Sequence, residues 1–124
     1  MVPKKIFIVD DDPMLTEALS DYLTRKIPHS IQSYPTGEDA LSHITEKPDI
    51  VILDFHLNTV QKNARNGLEI LKEIRKINPG QRVIMLSSQE QFGVAAQTIQ
   101  RGAEQYIIKD EKEAFAKIAG IVNG

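Results

Sequence analysis

Short apolar runs alternate along the chain with amphipathic segments of helix length. Residues 5–9, 31–34, 50–55, 83–86 and 106–108 read as strands. Residues 6–9, 50–53 and 83–86 are apolar at every position, as expected of strands covered on both faces by helices. The intervening segments carry helix punctuation. Asp12 before Pro13 suits a cap and a first helical position, and Met14, Leu15, Ala18, Leu19, Tyr22 and Leu23 then share a face, so the first helix is expected to run to about residue 26. Thr36 with Asp39, Asn66 with Glu69, Ser88 with Gln91 and Asp110 with Glu113 each set a capping side chain three residues before a polar partner. Gly80 and Gly102 stand where the third and fourth helices should stop. Five strand–helix units in series predict an α/β fold with one doubly wound parallel sheet.

Composition narrows the function classes. The 124 residues match one domain, residues 1–124, with no internal repeat or linker, and are enough to bury a core without a metal or disulfide staple. With no cysteine there is no thiolate chemistry, and a reducing, cytoplasmic setting is expected. Fifteen basic against seventeen acidic residues give a net charge of -2, which argues against nucleic acid as a partner of this domain. No apolar run approaches the roughly 20 residues that span a bilayer, so no membrane partner is expected either.

The acidic residues carry the chemistry. In a doubly wound sheet the ligand site lies at the carboxyl ends of the strands. Asp10 and Asp11 end the first strand, Asp54 the third, Ser87 the fourth and Lys109 the fifth, so all should converge on one edge. Asp12 is accounted for as a cap, but folding gives no role to Asp10 and Asp11. Carboxylates about 4 Å apart repel by roughly 4 kcal/mol at an effective dielectric of 20, so a cation is expected to offset them. The oxygen-only donors and the absence of a calcium-binding loop favour Mg²⁺ or Mn²⁺.

The motifs IFIVDDDP, PDIVILDFHL, NGLEILKEIR, VIMLSS and GAEQYIIKD together resemble the receiver domain of two-component response regulators over essentially the whole chain. The resemblance implies a flavodoxin-like sheet of strand order 2-1-3-4-5 with five helices, and phosphorylation by a histidine kinase or phosphotransfer protein. It matches Asp54 to the phosphoacceptor, Asp11 to a direct metal ligand and Asp10 to its water-linked neighbour. The backbone carbonyl of His56, not its imidazole, matches a third protein ligand. Lys109 matches the cation that pairs with a phosphoryl oxygen, Ser87 the hydroxyl that closes on the phosphorylated site, and Tyr106 the aromatic switch. The face made by the fourth helix, fifth strand and fifth helix is the expected output, with a phosphorylation-dependent homodimer left open. Helix four, with Gly93, Gln97 and Gln100, looks the looser element there.

Other readings fit less well. A haloacid-dehalogenase-like phosphatase needs an aspartate two residues after the nucleophile, where His56 stands. A flavin binder needs a phosphate loop after the first strand, where three aspartates would repel the phosphate. A degenerate receiver acting only in protein interaction would not need the full set of site residues. Two departures from the family pattern stand out: a lengthened loop, NTVQKNARN at residues 58–66, and Asp110 in place of the usual proline. Lys62 and Arg65 in that loop are read as steering a phosphorylated donor, and the Lys109–Asp110 bond is expected to be trans. His29, His43 and His56 have no metal-ligand spacing and are expected at the surface.

Overall fold

The computed structural model describes residues 2–57, 65–88, 92–109 and 113–124. In chain order the elements are β1 (Lys5–Val9), α1 (Pro13–Thr24), β2 (Ser30–Tyr34), α2 (Gly37–Leu41), a 3-10 turn (Ile44–Glu46), β3 (Ile50–Asp54), α3 (Gly67–Ile77), β4 (Val83–Ser87), α4 (Phe92–Gln100), β5 (Gln105–Ile108) and α5 (Ala114–Asn123). The sheet order is β2-β1-β3-β4-β5 with every pair parallel, the topology that the resemblance implied.

Strand alternation divides the core in two. Phe7, Val9, Val51, Leu53, Val83 and Met85 face α3, where Ile70, Leu71 and Ile74 cover them. Ile6, Ile8, Ile50, Ile52, Ile84 and Leu86 face α1 and α5, where Leu19, Leu23, Ile118 and Val122 close over them. Both faces of the inner strands are therefore dry, which is why their sequences lack polar alternation. The edge strand β2 is exposed or half-buried throughout.

Several boundaries differ from the sequence expectation. The third strand stops at Asp54: Phe55 N–H still donates to Leu86 O at 2.8 Å across to β4, but the chain then turns, with His56 N–H donating to Asp54 Oδ1 at 3.1 Å. The first helix ends at Thr24, and Met14 is 80% exposed rather than part of the buried face. Helix α3 stops at Asn78, not at Gly80: Pro79 disfavours helical backbone at the residue before it, and Asn78 is extended. Gly80 instead donates its N–H to Asn78 Oδ1. Gly102 does end α4 as expected, with φ of 103°.

The caps at Asp12, Thr36 and Asn66 form as read, the last as a full capping box with Glu69. The Ser88–Gln91 cap, the Lys109–Asp110 bond and loop positions 58–64, with Lys62, fall outside the described residues. The Asp110–Glu113 cap is corrected: α5 begins only at Ala114, with Glu113 itself at the cap position and no side-chain cap bond, so Glu113 is not the third residue of the helix. No described helix is long and apolar enough to cross a membrane.

Candidate functional site

Parallel pairing brings the carboxyl ends of β1, β3, β4 and β5 to one edge. Asp10 N–H donates to Tyr34 O at 3.1 Å, and Lys109 N–H to Ser87 O at 2.7 Å, so the residue just past each of β1 and β5 is tied to the neighbouring strand's end. Asp10 is 4% and Asp54 1% exposed, while Asp11 is half-buried. One oxygen from each of these three carboxylates lies within 4.8 Å of the others. Lys109 reaches over them, its Nζ 2.8 Å from Asp10 Oδ2 and 3.1 Å from Asp54 Oδ1.

The backbone fixes the orientation of the acids. Asp10 Oδ1 accepts the Asp12 N–H at 2.8 Å, and Asp54 Oδ1 accepts the His56 N–H at 3.1 Å. Asp12 turns away to cap α1, accepting the Met14 N–H at 3.0 Å. Asp10 Oδ2 is buried and has no aligned hydrogen bond, so its contact with Lys109 is an ion pair by distance alone. Burial, and next the charge of Asp54, hold the Asp10 carboxyl above its ordinary range despite Lys109. Burial pulls Lys109 down, but the short contact with Asp10 and the charge of Asp54 outweigh it and leave the ammonium more basic than usual.

Among the described residues, three carboxylates thus face one ammonium. An all-oxygen donor set with a buried carboxylate oxygen outside any aligned hydrogen bond fits a hard divalent cation. A cleft of about 420 Å3 between the start of α1 and the end of β2 is lined by Asp10 and Asp11 together with Thr16 and Pro35, but not by Asp54 or Lys109.

Ser87 is buried at the end of β4. In the β4–β5 register Met85 pairs with Tyr106 and Ser87 with Ile108, so Ser87 and Tyr106 sit one alternation step apart on the same face. Tyr106 is half-buried against the α3-side core. The His56 imidazole packs edge-on to Phe55, with ring centroids 5.0 Å apart. The structure therefore brings Asp10, Asp11, Asp54 and Lys109 into one cluster, with His56 in the turn below it and Ser87 and Tyr106 on the adjoining strands.

Two residues escaped the sequence reading. Gly67 opens α3 against the end of β3: its N–H donates to Phe55 O at 2.8 Å, and a Cβ there would sit 2.4 Å from Asp54 O. The Asn66-Gly67 pair after the lengthened loop was the available signal. His29 is 6% exposed rather than at the surface. Its Nδ1 accepts the Lys4 N–H at 2.9 Å and its Nε2 lies 2.8 Å from Asn123 Oδ1, partners that no local pattern connects to it.

A family model described as the response regulator receiver domain matches residues 6–119. The chemotaxis protein CheY of Thermotoga maritima is 31% identical over 107 residues, covering 86% of this chain and 85% of that protein. The probable C4-dicarboxylate response regulator DctR of Bacillus subtilis is 31% identical over 110 residues, and there the chain spans only 46% of the relative. Among solved structures, the BeF3-activated DrrB receiver domain superposes with a TM-score of 0.82 at 25% identity, covering 98% of this chain and 96% of that one.

Proposed function

The chain belongs to the response regulator receiver domain family, and on that premise we propose that it is a signalling switch set by phosphoryl transfer to Asp54. The observation that carries this reading is the Lys109 ammonium held between Asp10 and Asp54 at the sheet edge. The donor is a histidine kinase or phosphotransfer protein. An Asp54 carboxylate oxygen attacks phosphorus, the P–N bond of the donor phosphohistidine breaks, and its electron pair returns to the imidazole nitrogen. Among the described residues, both Asp54 contacts above fall on Oδ1, which leaves Oδ2 as the oxygen to attack. Lys109 then pairs with a phosphoryl oxygen, where a point charge suffices.

Asp10, Asp11, Asp54 and the His56 carbonyl would hold Mg²⁺ or Mn²⁺, which when bound offsets the charge of the acids and of the transferring group. Ser87 closes on the phosphorylated site, and Tyr106, beside it on β5, relays the change to the face of α4, β5 and α5. The whole unit, residues 1–124, works in the cytoplasm as a signalling domain that catalyses only its own phosphorylation and dephosphorylation. A phosphorylation-dependent homodimer is one form its output takes.

Incubation with acetyl phosphate and Mg²⁺ tests this directly. Intact-mass spectrometry should show one added phosphate on the wild type, and none on Asp54→Asn or in EDTA. Labelling of Asp54→Asn would overturn the assignment. An unlabelled wild type would leave the domain as an interaction module only.

A further inference from the structure

A second charged site lies away from the carboxylate cluster. A cleft of about 550 Å3 runs along the outer face of α3 to the end of α4, and five of its seven lining residues are basic. That is a third of the chain's fifteen basic residues, on a chain of net charge -2, so the concentration is not an average surface.

The two acids of the cleft are already engaged: Glu69 accepts the Asn66 N–H in the capping box, and Glu73 pairs with Lys76 at 3.3 Å. Arg75 is spent on structure, donating to Pro79 O and Gly102 O. Those bonds tie α3 to the turn after α4. Gly102 is needed there because its φ of 103° lies in the left-handed region, and a side chain would also push the Arg75 guanidinium aside. Arg101, the residue before Gly102, is thereby held beside α3. Among the described residues, the side chains of Arg65, Lys72 and Arg101 make no ion pair or hydrogen bond, and all three line the cleft.

We infer that this cleft docks an acidic segment of a protein partner through Arg65, Lys72 and Arg101, at a site separate from Asp54. The lining holds no aromatic or aliphatic residue, so neither base stacking nor an apolar anchor is on offer, which disfavours nucleotides and amphipathic helices. Glu69 and Glu73 stand among the cations of the lining and would repel a dense polyphosphate. A strand bearing a few spaced carboxylates satisfies the two arginine forks and the lysine without that repulsion.

The test is an amide chemical-shift titration of the full chain with synthetic hexaglutamate at low salt, beside a titration with inorganic tripolyphosphate. Shifts should cluster at Arg65, Lys72 and Arg101. The Lys72→Glu/Arg101→Glu double variant should weaken peptide binding by about tenfold or more, the size expected for reversing two charge contacts. Its acetyl-phosphate labelling should stay within about twofold of wild type, since neither residue reaches the acceptor. If its spectrum shows loss of fold, Lys72→Ala/Arg101→Gln decides the question with a weakening of about threefold. The inference fails if exposed cations elsewhere, such as Arg25 and Lys26, shift equally, or if the folded variants bind as wild type. Tighter binding of tripolyphosphate than of peptide at the cleft would also overturn it.

Discussion

A Cβ on Gly67 would lie 2.4 Å from the carbonyl oxygen of Asp54 and 2.7 Å from Phe55 Cα. Both obstacles are backbone, so no rotamer change relieves the clash. The first turn of α3 touches the acceptor strand only because residue 67 has no side chain.

Gly67→Ala should therefore destabilise the domain by about 1–3 kcal/mol, as overpacking against an unyielding neighbour does. Urea unfolding measures it. Acetyl-phosphate labelling should slow as well, because the Phe55–His56 turn under Asp54 must move. A variant within about 0.5 kcal/mol of wild type would show that α3 docks more loosely than this.

Asp10 is the strained member of the cluster. Its raised pKa means that the folded state binds the proton more tightly than the unfolded chain does. Without metal, the contribution of Asp10 to stability should therefore increase as pH falls from neutral toward the ordinary aspartate value of 3.8, against the opposite slopes of Glu46 and Glu104, whose carboxyls are held low by Lys5 and Arg82. Asp10→Asn should remove that slope and stabilise the fold in EDTA at neutral pH by on the order of 1 kcal/mol. The same variant should weaken Mg²⁺ binding. Thermal melts across pH in EDTA check the first effect and calorimetric titration the second.

Asp12 should behave in the opposite way. Its carboxylate accepts the Met14 and Leu15 N–H groups and is exposed, so Asp12→Ala costs about 1 kcal/mol through the lost cap. Mg²⁺ affinity should stay near wild type. A large loss of affinity would place Asp12 among the ligands instead of at the helix start.

Beryllofluoride, a phosphoryl mimic, should shift amide resonances across residues 87–109 beyond the pocket itself. Ser87 and Tyr106 occupy adjoining strands one alternation step apart, and α4 lies between them in sequence, with Gly93, Gln97 and Ile99 exposed. Changes confined to residues 10–12, 54–56 and 109 would show that the α4–β5 face does not respond.

Hydrophobic alternation and strand-end chemistry are local properties, and the sequence alone carried them. Unbroken apolar runs required a sheet covered on both faces, and the acids at the ends of those runs had to meet because parallel strands end on the same edge. The capping box of Asn66 and Glu69 was legible for the same reason: both partners lie within one helical turn. Tertiary structure decided whatever depends on distances between residues remote in the chain. That Lys109 spans Asp10 and Asp54, that Gly67 must lack a side chain, and that His29 is buried between Lys4 and Asn123 follow from packing of segments up to about a hundred residues apart. The stop of α3 at Asn78 was readable from Pro79 but obscured by Gly80, the more familiar signal. The basic cleft is of the tertiary kind: Arg65 lies just before the cap of α3 and Lys72 within it, and only the bonds from Arg75 to the turn after α4 bring Arg101 beside them.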